Sequence, residues 1–226
     1  MKKIFAVALC AFVGCGLYAA EEVFDLVYKA DSMEMPTAVG FQSSGYQSKN
    51  ANGAQYASLA PNDEGDTVLL LNHQDKKGEW PIFKKVWDKD FKTVTVDITY
   101  RLADTETQDP QVCFYAALKD TKRPKNRFGF VNIAASKIVM ANGNIEFASG
   151  NTVQSLRFIV DADANAIEAY DLKTNKFLGK KWMANAGEKT VVNTIAFGDG
   201  SSGIHGIAEI FEIKFAFDKK YIPAAK

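Results

Sequence analysis

The stretch IAFGDGSSGIHGIAEIFEIKF, residues 195–215, decides the fold. Its Gly198, Gly200 and Gly203 have the G-x-G-x-x-G spacing of a dinucleotide-binding loop. Such a loop needs a strand before it and a helix after it, because the helix N-terminus holds the pyrophosphate. The strand is present as VVNTIAF, residues 191–197. The helix is not. After Gly203 come Ile204, His205 and Gly206, and then IAEIFEIKFAFD, in which Phe211, Ile213, Phe215 and Phe217 recur at every second residue. Aromatic and β-branched residues at period two make a strand. The segment therefore reads strand, glycine turn, strand. The glycines supply positive φ angles and close backbone approach, and no phosphate cradle.

Period two dominates elsewhere as well. In KTVTVDITYRL, residues 92–102, Val94, Val96, Ile98, Tyr100 and Leu102 share one face, and Thr93, Thr95, Asp97, Thr99 and Arg101 share the other. That is a half-buried antiparallel strand. Similar runs follow: TVLLLN, VCFYAAL, RFGFVNI, KIVMA, NIEFA, SLRFIVD, AIEAYDL and VVNTIAF. Turn chemistry separates them, as at Asn142-Gly143, ASGN, KTNK and NAGEK. About a dozen short strands with turns every 8–12 residues predict a two-sheet sandwich or a barrel. No long stretch sustains a helical period, which argues against a βαβ architecture. The segment from Asp31 to Asp66 is rich in Ser, Asn and Gly and reads as a decorated, loop-like part of the same domain. The tail YIPAAK reads as frayed.

Three of these stretches resemble concanavalin A-like (laminin G-like) jelly-roll domains of bacterial secreted proteins. Residues 195–215 are similar to the closing hairpin of that family, which reads I-x-F-G-D, a small-residue turn, a Gly and a final strand. LRFIVDADANAIEAYDLKTNKFLG, residues 156–179, resembles its hairpin of two strands leading to a Y-x-D-G turn. KTVTVDITYRL resembles its early central strand. The match spans Lys92 to Phe217 well and Phe24 to Asp90 loosely. It departs at Asp171-Leu172, where Asp-Gly is usual, and so predicts a longer turn there. The resemblance implies an all-β, two-sheet antiparallel β-sandwich of jelly-roll type filling residues 21–226 as a single domain. It leaves the ligand open, because this fold hosts lectins, glycanases, lyases and adhesive modules.

The N-terminus has the layout of a secretory signal peptide over residues 1–20. Lys2 and Lys3 are followed by an uncharged apolar run from Ile4 to Tyr18, then Ala19 and Ala20. The run is too short to span a membrane. A second reading competes with it: FVGC, Phe12 to Cys15, resembles a lipobox, with Cys15 as the lipidated residue of a lipoprotein. Either way the expected location is outside the cytoplasm: secreted, periplasmic or in the cell envelope. The chain carries 27 basic and 27 acidic side chains; removing Lys2 and Lys3 leaves 25 against 27, a net charge near −2. No basic block stands out, which argues against nucleic acid as partner. Cys10 and Cys15 lie in the leader, so Cys113 is the one cysteine of the body and reads as a small buried hydrophobe.

Candidate chemistry is sparse. Glycanases of this fold carry E-x-D-x-E, three carboxylates on one strand face; no such triplet occurs here. Asp104 and Glu106 sit in a turn-rich loop, and Glu209 and Glu212, three apart, are expected on opposite faces of their strand. DADAN, residues 161–165, opens like a calcium loop, but Ala166 and Leu172 stand where Gly and Glu are needed, so it reads as a turn. Asp199 between glycines is the candidate ligand if a structural Ca2+ is held; no other cofactor is expected. His73 and His205 have no Cys or His neighbour that would complete a zinc site.

The tryptophans remain. A ring stacks on the apolar face of a sugar while polar neighbours take its hydroxyls. Trp80, in KKGEWPIF, and Trp182, in GKKWMANAG beside Lys180 and Lys181, read as exposed platforms; Trp87 reads as core. Arg123, in the basic loop KDTKRPKNR, suits an anionic glycan or surface. The expectation is a non-catalytic module binding a polysaccharide or cell-surface glycan through Trp80, Trp182, Lys181 and Arg123. A structural or adhesive domain without a sugar site, and a glycan-cleaving enzyme with unrecognised carboxylates, are the alternatives.

Overall fold

A computed structural model of the chain describes residues 22–45, 57–72, 81–103, 110–123, 125–187, 190–199 and 206–224. These residues form sixteen strands, numbered along the chain, and two 3-10 turns at Ala30–Ser32 and Pro36–Val39. The strands make two antiparallel sheets of eight strands each. The first sheet runs β13 (Lys176–Trp182), β12 (Ala166–Asp171), β11 (Gln154–Asp161), β6 (Thr93–Leu102), β16 (Ile207–Phe217), β4 (Thr67–Asn72) and β3 (Ala57–Pro61). β1 (Leu26–Lys29) pairs with β16 beyond β4. The second sheet runs β10 (Gly143–Glu146), β9 (Lys137–Met140), β8 (Arg127–Ile133), β7 (Val112–Leu118), β15 (Thr194–Gly198), β5 (Pro81–Val86) and β2 (Gln42–Gly45). The two-residue β14 (Ala184–Asn185) pairs with β8.

Alternation builds the core between the sheets. Val94, Val96, Ile98, Tyr100 and Leu102 of β6 face inward from the first sheet; Val112, Phe114, Ala116 and Leu118 of β7 face them from the second, and all nine are buried. Apolar burial at this density is the main favourable term in the fold. Phe41, Phe83, Phe197 and Phe215 close the middle of the core in edge-on and tilted contacts. Trp87 joins the rim of the same core against Phe91 and Phe217, as its sequence context predicts.

The glycine-rich stretch is flanked by β15 and β16, so the strand–turn–strand reading holds on the described residues; Gly200 and Gly203 lie outside them. Gly206 shows close approach: a Cβ there would lie 2.6 Å from Gln111 Cγ. DADAN is a turn, with the Ala164 N–H donating to Asp161 Oδ1 at 2.9 Å. The turn after Asp171 is longer than a two-residue turn, as the sequence departure predicts. Asp171 caps it by accepting from the Lys173 N–H and the Thr174 hydroxyl.

Three sequence expectations are corrected. Outward-facing Thr95 and Asp97 of β6 are buried, so this strand is covered on both faces. The cover comes from the segments at the two ends of the chain. The tail is accordingly not frayed at Tyr221, whose hydroxyl donates to Val23 O at 2.7 Å and accepts from Val23 N–H at 2.9 Å. Lastly, Glu209 and Glu212 do not face opposite sides. A bulge between Ile210 and Glu212 takes up Phe211, so Glu209 pairs with Arg101 and Glu212 with Thr99 on the outer face. The same bulge keeps Ile210 and Ile213 both in the core, which strict alternation forbids.

Candidate functional site

The outer face of the second sheet carries a row of aromatic rings. Register across β8, β7, β15 and β5 places Phe130, Tyr115, Ala196 and Lys84 side by side. The next row is Phe128, Ala117, Thr194 and Val86, and the one on the other side is Asn132, Cys113, Gly198 and Ile82. All alternate with the core residues of the same strands, so they point away from the core. The rings of Tyr115 and Phe128 lie 5.4 Å apart and those of Phe128 and Phe130 6.2 Å apart. The three rings are half-buried, while Ala117 and Ala196 beside them are fully buried. The outcome is an apolar ledge with an ammonium at Lys84 and an amide at Asn132 on its flanks. Such a surface can cover the C–H face of a sugar ring and leave hydroxyls to polar neighbours.

Sequence reading missed this ledge. Its signal was available in RFGFVNI, where the outward positions are Phe128 and Phe130 rather than polar residues. The six adjacent strands β2, β5, β15, β7, β8 and β9 contain no Asp or Glu.

Trp182, the last residue of β13, is 60% exposed, as expected of a platform. It pairs with Ala166, and on the same outer face of β12 follow Glu168 and Tyr170. Phe177, 51% exposed, stands opposite Tyr170 with ring centroids 5.2 Å apart. Between the two exposed rings, Lys180 Nζ donates to Glu168 Oε1 at 2.9 Å and the Tyr170 hydroxyl donates to Glu168 Oε2 at 2.9 Å. Burial alone would raise the Glu168 carboxyl, but these two donors outweigh it and hold it below the ordinary carboxylate range. Burial, then the Glu168 charge, pushes the Tyr170 phenol up to about 12.

Lys181 does not share this platform. Strand alternation sends it to the opposite face, where a Cβ on Gly143 would lie 3.4 Å from its ammonium. Lys180 takes the place beside Trp182 that the sequence reading gave to Lys181. Arg123 belongs to a different element, the turn between β7 and β8, with its guanidinium 3.9 Å from Asp120. In that turn Lys122 and Thr121 reach Asp163. A depression of about 400 Å3 at this end is lined by Lys92, Lys122, Asp161, Asp163, Asp218 and Lys220, among other residues. Its acids are engaged: Asp161 by Lys220, Asp163 by Lys92 and Lys122, and Asp218 by the Lys92 N–H.

Asp199 follows β15 and is 2% exposed; its backbone oxygen accepts from the Cys113 thiol at 3.1 Å. Burial, reinforced by the Asp199 charge, pushes that thiol up, so Cys113 is not an activated nucleophile. Among the described residues no group of three or more His, Cys, Asp or Glu is placed to hold a metal ion. Trp80, His73, His205, Asp104 and Glu106 lie outside the described residues.

No family model matches the sequence, and no curated protein does. Solved structures do share the fold. A carbohydrate esterase from the Shiga toxin-encoding bacteriophage phi24B is 11% identical, with a TM-score of 0.62 over 87% of this chain and 99% of that one. A cellulose-induced protein is 13% identical, with a TM-score of 0.54 over 85% of this chain and 97% of that one. A sialidase is 11% identical with a TM-score of 0.53; the match covers 87% of this chain and 19% of the sialidase. With two antiparallel sheets in this strand order, and with these neighbours, the chain has the concanavalin A-like jelly-roll fold.

Proposed function

We propose that this protein is a non-catalytic carbohydrate-binding module that acts outside the cytoplasm. The observation that carries the reading is the ledge of Tyr115, Phe128 and Phe130 on the outer face of the second sheet. Outward-facing aromatic rings in a contiguous row bring no stability comparable to core packing, and a sugar ring is a ligand of matching shape. The names of the structural neighbours, a carbohydrate esterase, a sialidase and a cellulose-induced protein, support the same ligand class. Hydrolysis needs two positioned carboxylates. The strands that form the ledge and its flanks supply none, which favours binding over cleavage.

The proposal includes removal of residues 1–20 as a leader, leaving residues 21–226 as one domain, with lipidation at Cys15 as the alternative route to the envelope. A glycan array on the protein, with and without Ca2+, tests the ligand class. Titration of the best glycan against Tyr115→Ala and Phe130→Ala then tests the face. Each variant should bind about tenfold or more weakly, because a ring that covers a sugar contributes about 1–3 kcal/mol, and should keep its circular dichroism spectrum while Tm falls modestly, because the rings are half-buried. An array without a single binder would sink the reading in favour of a structural or adhesive module.

A further inference from the structure

We infer that the protein is bivalent: besides the ledge, the outer face of the β12–β13 hairpin binds an uncharged glycan chain, so that one molecule bridges two chains. The inference rests on the glycan-binding reading above and adds a second place and a bridging role to it. Trp182 and Phe177 are the two aromatic side chains among the described residues that are more than half exposed. Both stand on the outward face of one strand. Their partners Ala166 and Tyr170 are four residues apart on β12, so the rings are roughly 13 Å apart along it. The ring of Phe177 leans on that of Tyr170, 5.2 Å away, which holds it in place. Two fixed rings on one line suit an extended chain that offers an apolar face along its length. A cello-oligosaccharide does so, because its hydroxyls are equatorial and its C–H groups point to either side of each sugar ring.

The groups between the rings fix the charge of the ligand. On this face of β12 and β13 the charged side chains are Glu168 and Lys180, and they are paired at 2.9 Å, so the face is neutral. The pair keeps capacity to bind. Glu168 accepts from Lys180 and from the Tyr170 hydroxyl, whereas a carboxylate can accept about four hydrogen bonds; an ammonium can donate about three, and Lys180 gives one of them to Glu168. Acceptor and donor capacity therefore stand side by side between the two rings, in positions set by the pair. A sugar hydroxyl, which both donates and accepts, uses both. The ledge lies on the outer face of the other sheet with the core between, so the two surfaces look in opposite directions. A stiff chain on one of them cannot also lie on the other, and a molecule with both occupied joins two chains.

The test uses cellohexaose for stoichiometry and hydroxyethylcellulose for bridging. Calorimetric titration should find about two cellohexaose molecules per protein chain. Trp182→Ala and Phe177→Ala should each weaken one of these binding events about tenfold and keep the circular dichroism spectrum, since both rings are largely exposed. Tyr115→Ala should weaken the other event and leave the hairpin site, whose affinity should not change with salt. The protein should raise the viscosity of hydroxyethylcellulose through cross-links, and Trp182→Ala should abolish that rise while still binding the polymer. The inference is overturned if the Trp182→Ala titration matches that of the unaltered protein, or if the unaltered protein leaves the viscosity unchanged. Glycan binding lost in Tyr115→Ala and intact in Trp182→Ala would overturn it and leave the general reading standing. A glycan array without a single binder, with cellohexaose also unbound, would overturn both.

Discussion

Arg157 holds Asp97 by two parallel hydrogen bonds, Nε to Oδ1 and Nη2 to Oδ2, both 2.7 Å, on the outer face of the first sheet. The same guanidinium reaches Glu22 at 2.7 and 2.6 Å and donates to Tyr221 O at 2.8 Å. The rings of Phe24 and Tyr221 flank it at 6.0 and 5.7 Å. One side chain thus ties together both ends of the chain.

Removing one partner of that pair should be severe. Arg157→Met leaves Asp97 buried without its partner and should cost about 3–5 kcal/mol in urea unfolding. The double replacement Arg157→Met with Asp97→Leu should recover most of the loss, because no buried charge is then left alone. Equal losses in the single and double variants would contradict this account.

Acid should unfold the protein through its paired carboxylates. Burial alone would raise Asp120; Arg127, 2.9 Å away, and the Lys122 N–H outweigh it and hold the carboxyl below its ordinary value. A group depressed in the folded state stabilises above its unfolded value, about pH 4, and loses that contribution as pH falls through the folded value. Unfolding free energy measured from pH 6 to pH 2 should therefore fall below about pH 4, and Asp120→Asn should flatten that decline.

The two sheets touch closely at Gly129 of β8. A Cβ there would lie 2.8 Å from Val160 Cγ1 and 3.3 Å from Ile167 Cδ1, both on the opposing sheet. Gly129→Ala should therefore lower stability by about 1–3 kcal/mol through overpacking, read as a fall in Tm without change of the circular dichroism spectrum. A neutral or stabilising effect would show that the sheets can separate there.

Cys113 should be silent to thiol reagents. It is 6% exposed, and burial followed by the Asp199 charge keeps the thiol protonated. Ellman's reagent on residues 21–226 should release no colour at pH 8 until denaturant is added, and then one equivalent. Rapid labelling of the native protein would show that the Cys113 side opens.

Much of the core was legible because burial and alternation coincide. Val94 to Leu102 of β6 and Leu156 to Val160 of β11 announce their faces directly. The strands that escaped notice are the ones held by neighbours rather than by composition. β2 is QSSG, with no apolar residue, and exists as a strand through its pairing with β5. β13 is lysine-rich and broken in register by its bulge, so only its terminal Trp182 stood out. The bulge at Phe211 was invisible because it replaces one apolar residue at the core by another. The aromatic ledge went unread for a related reason: in RFGFVNI both faces are apolar, and sequence alone does not say which one faces the core.

The place of β16 has a consequence for synthesis. This last strand pairs with β6 on one side and with β4 and β1 on the other. A nascent chain that ends before residue 207 therefore holds the first sheet in unjoined pieces, with the edges of β6 and β4 open. Those edges are templates for wrong pairing, and long-range closure is slow. The first sheet can shut only once residues 207–217 are available to pair, so its closure is a late, long-range step of folding.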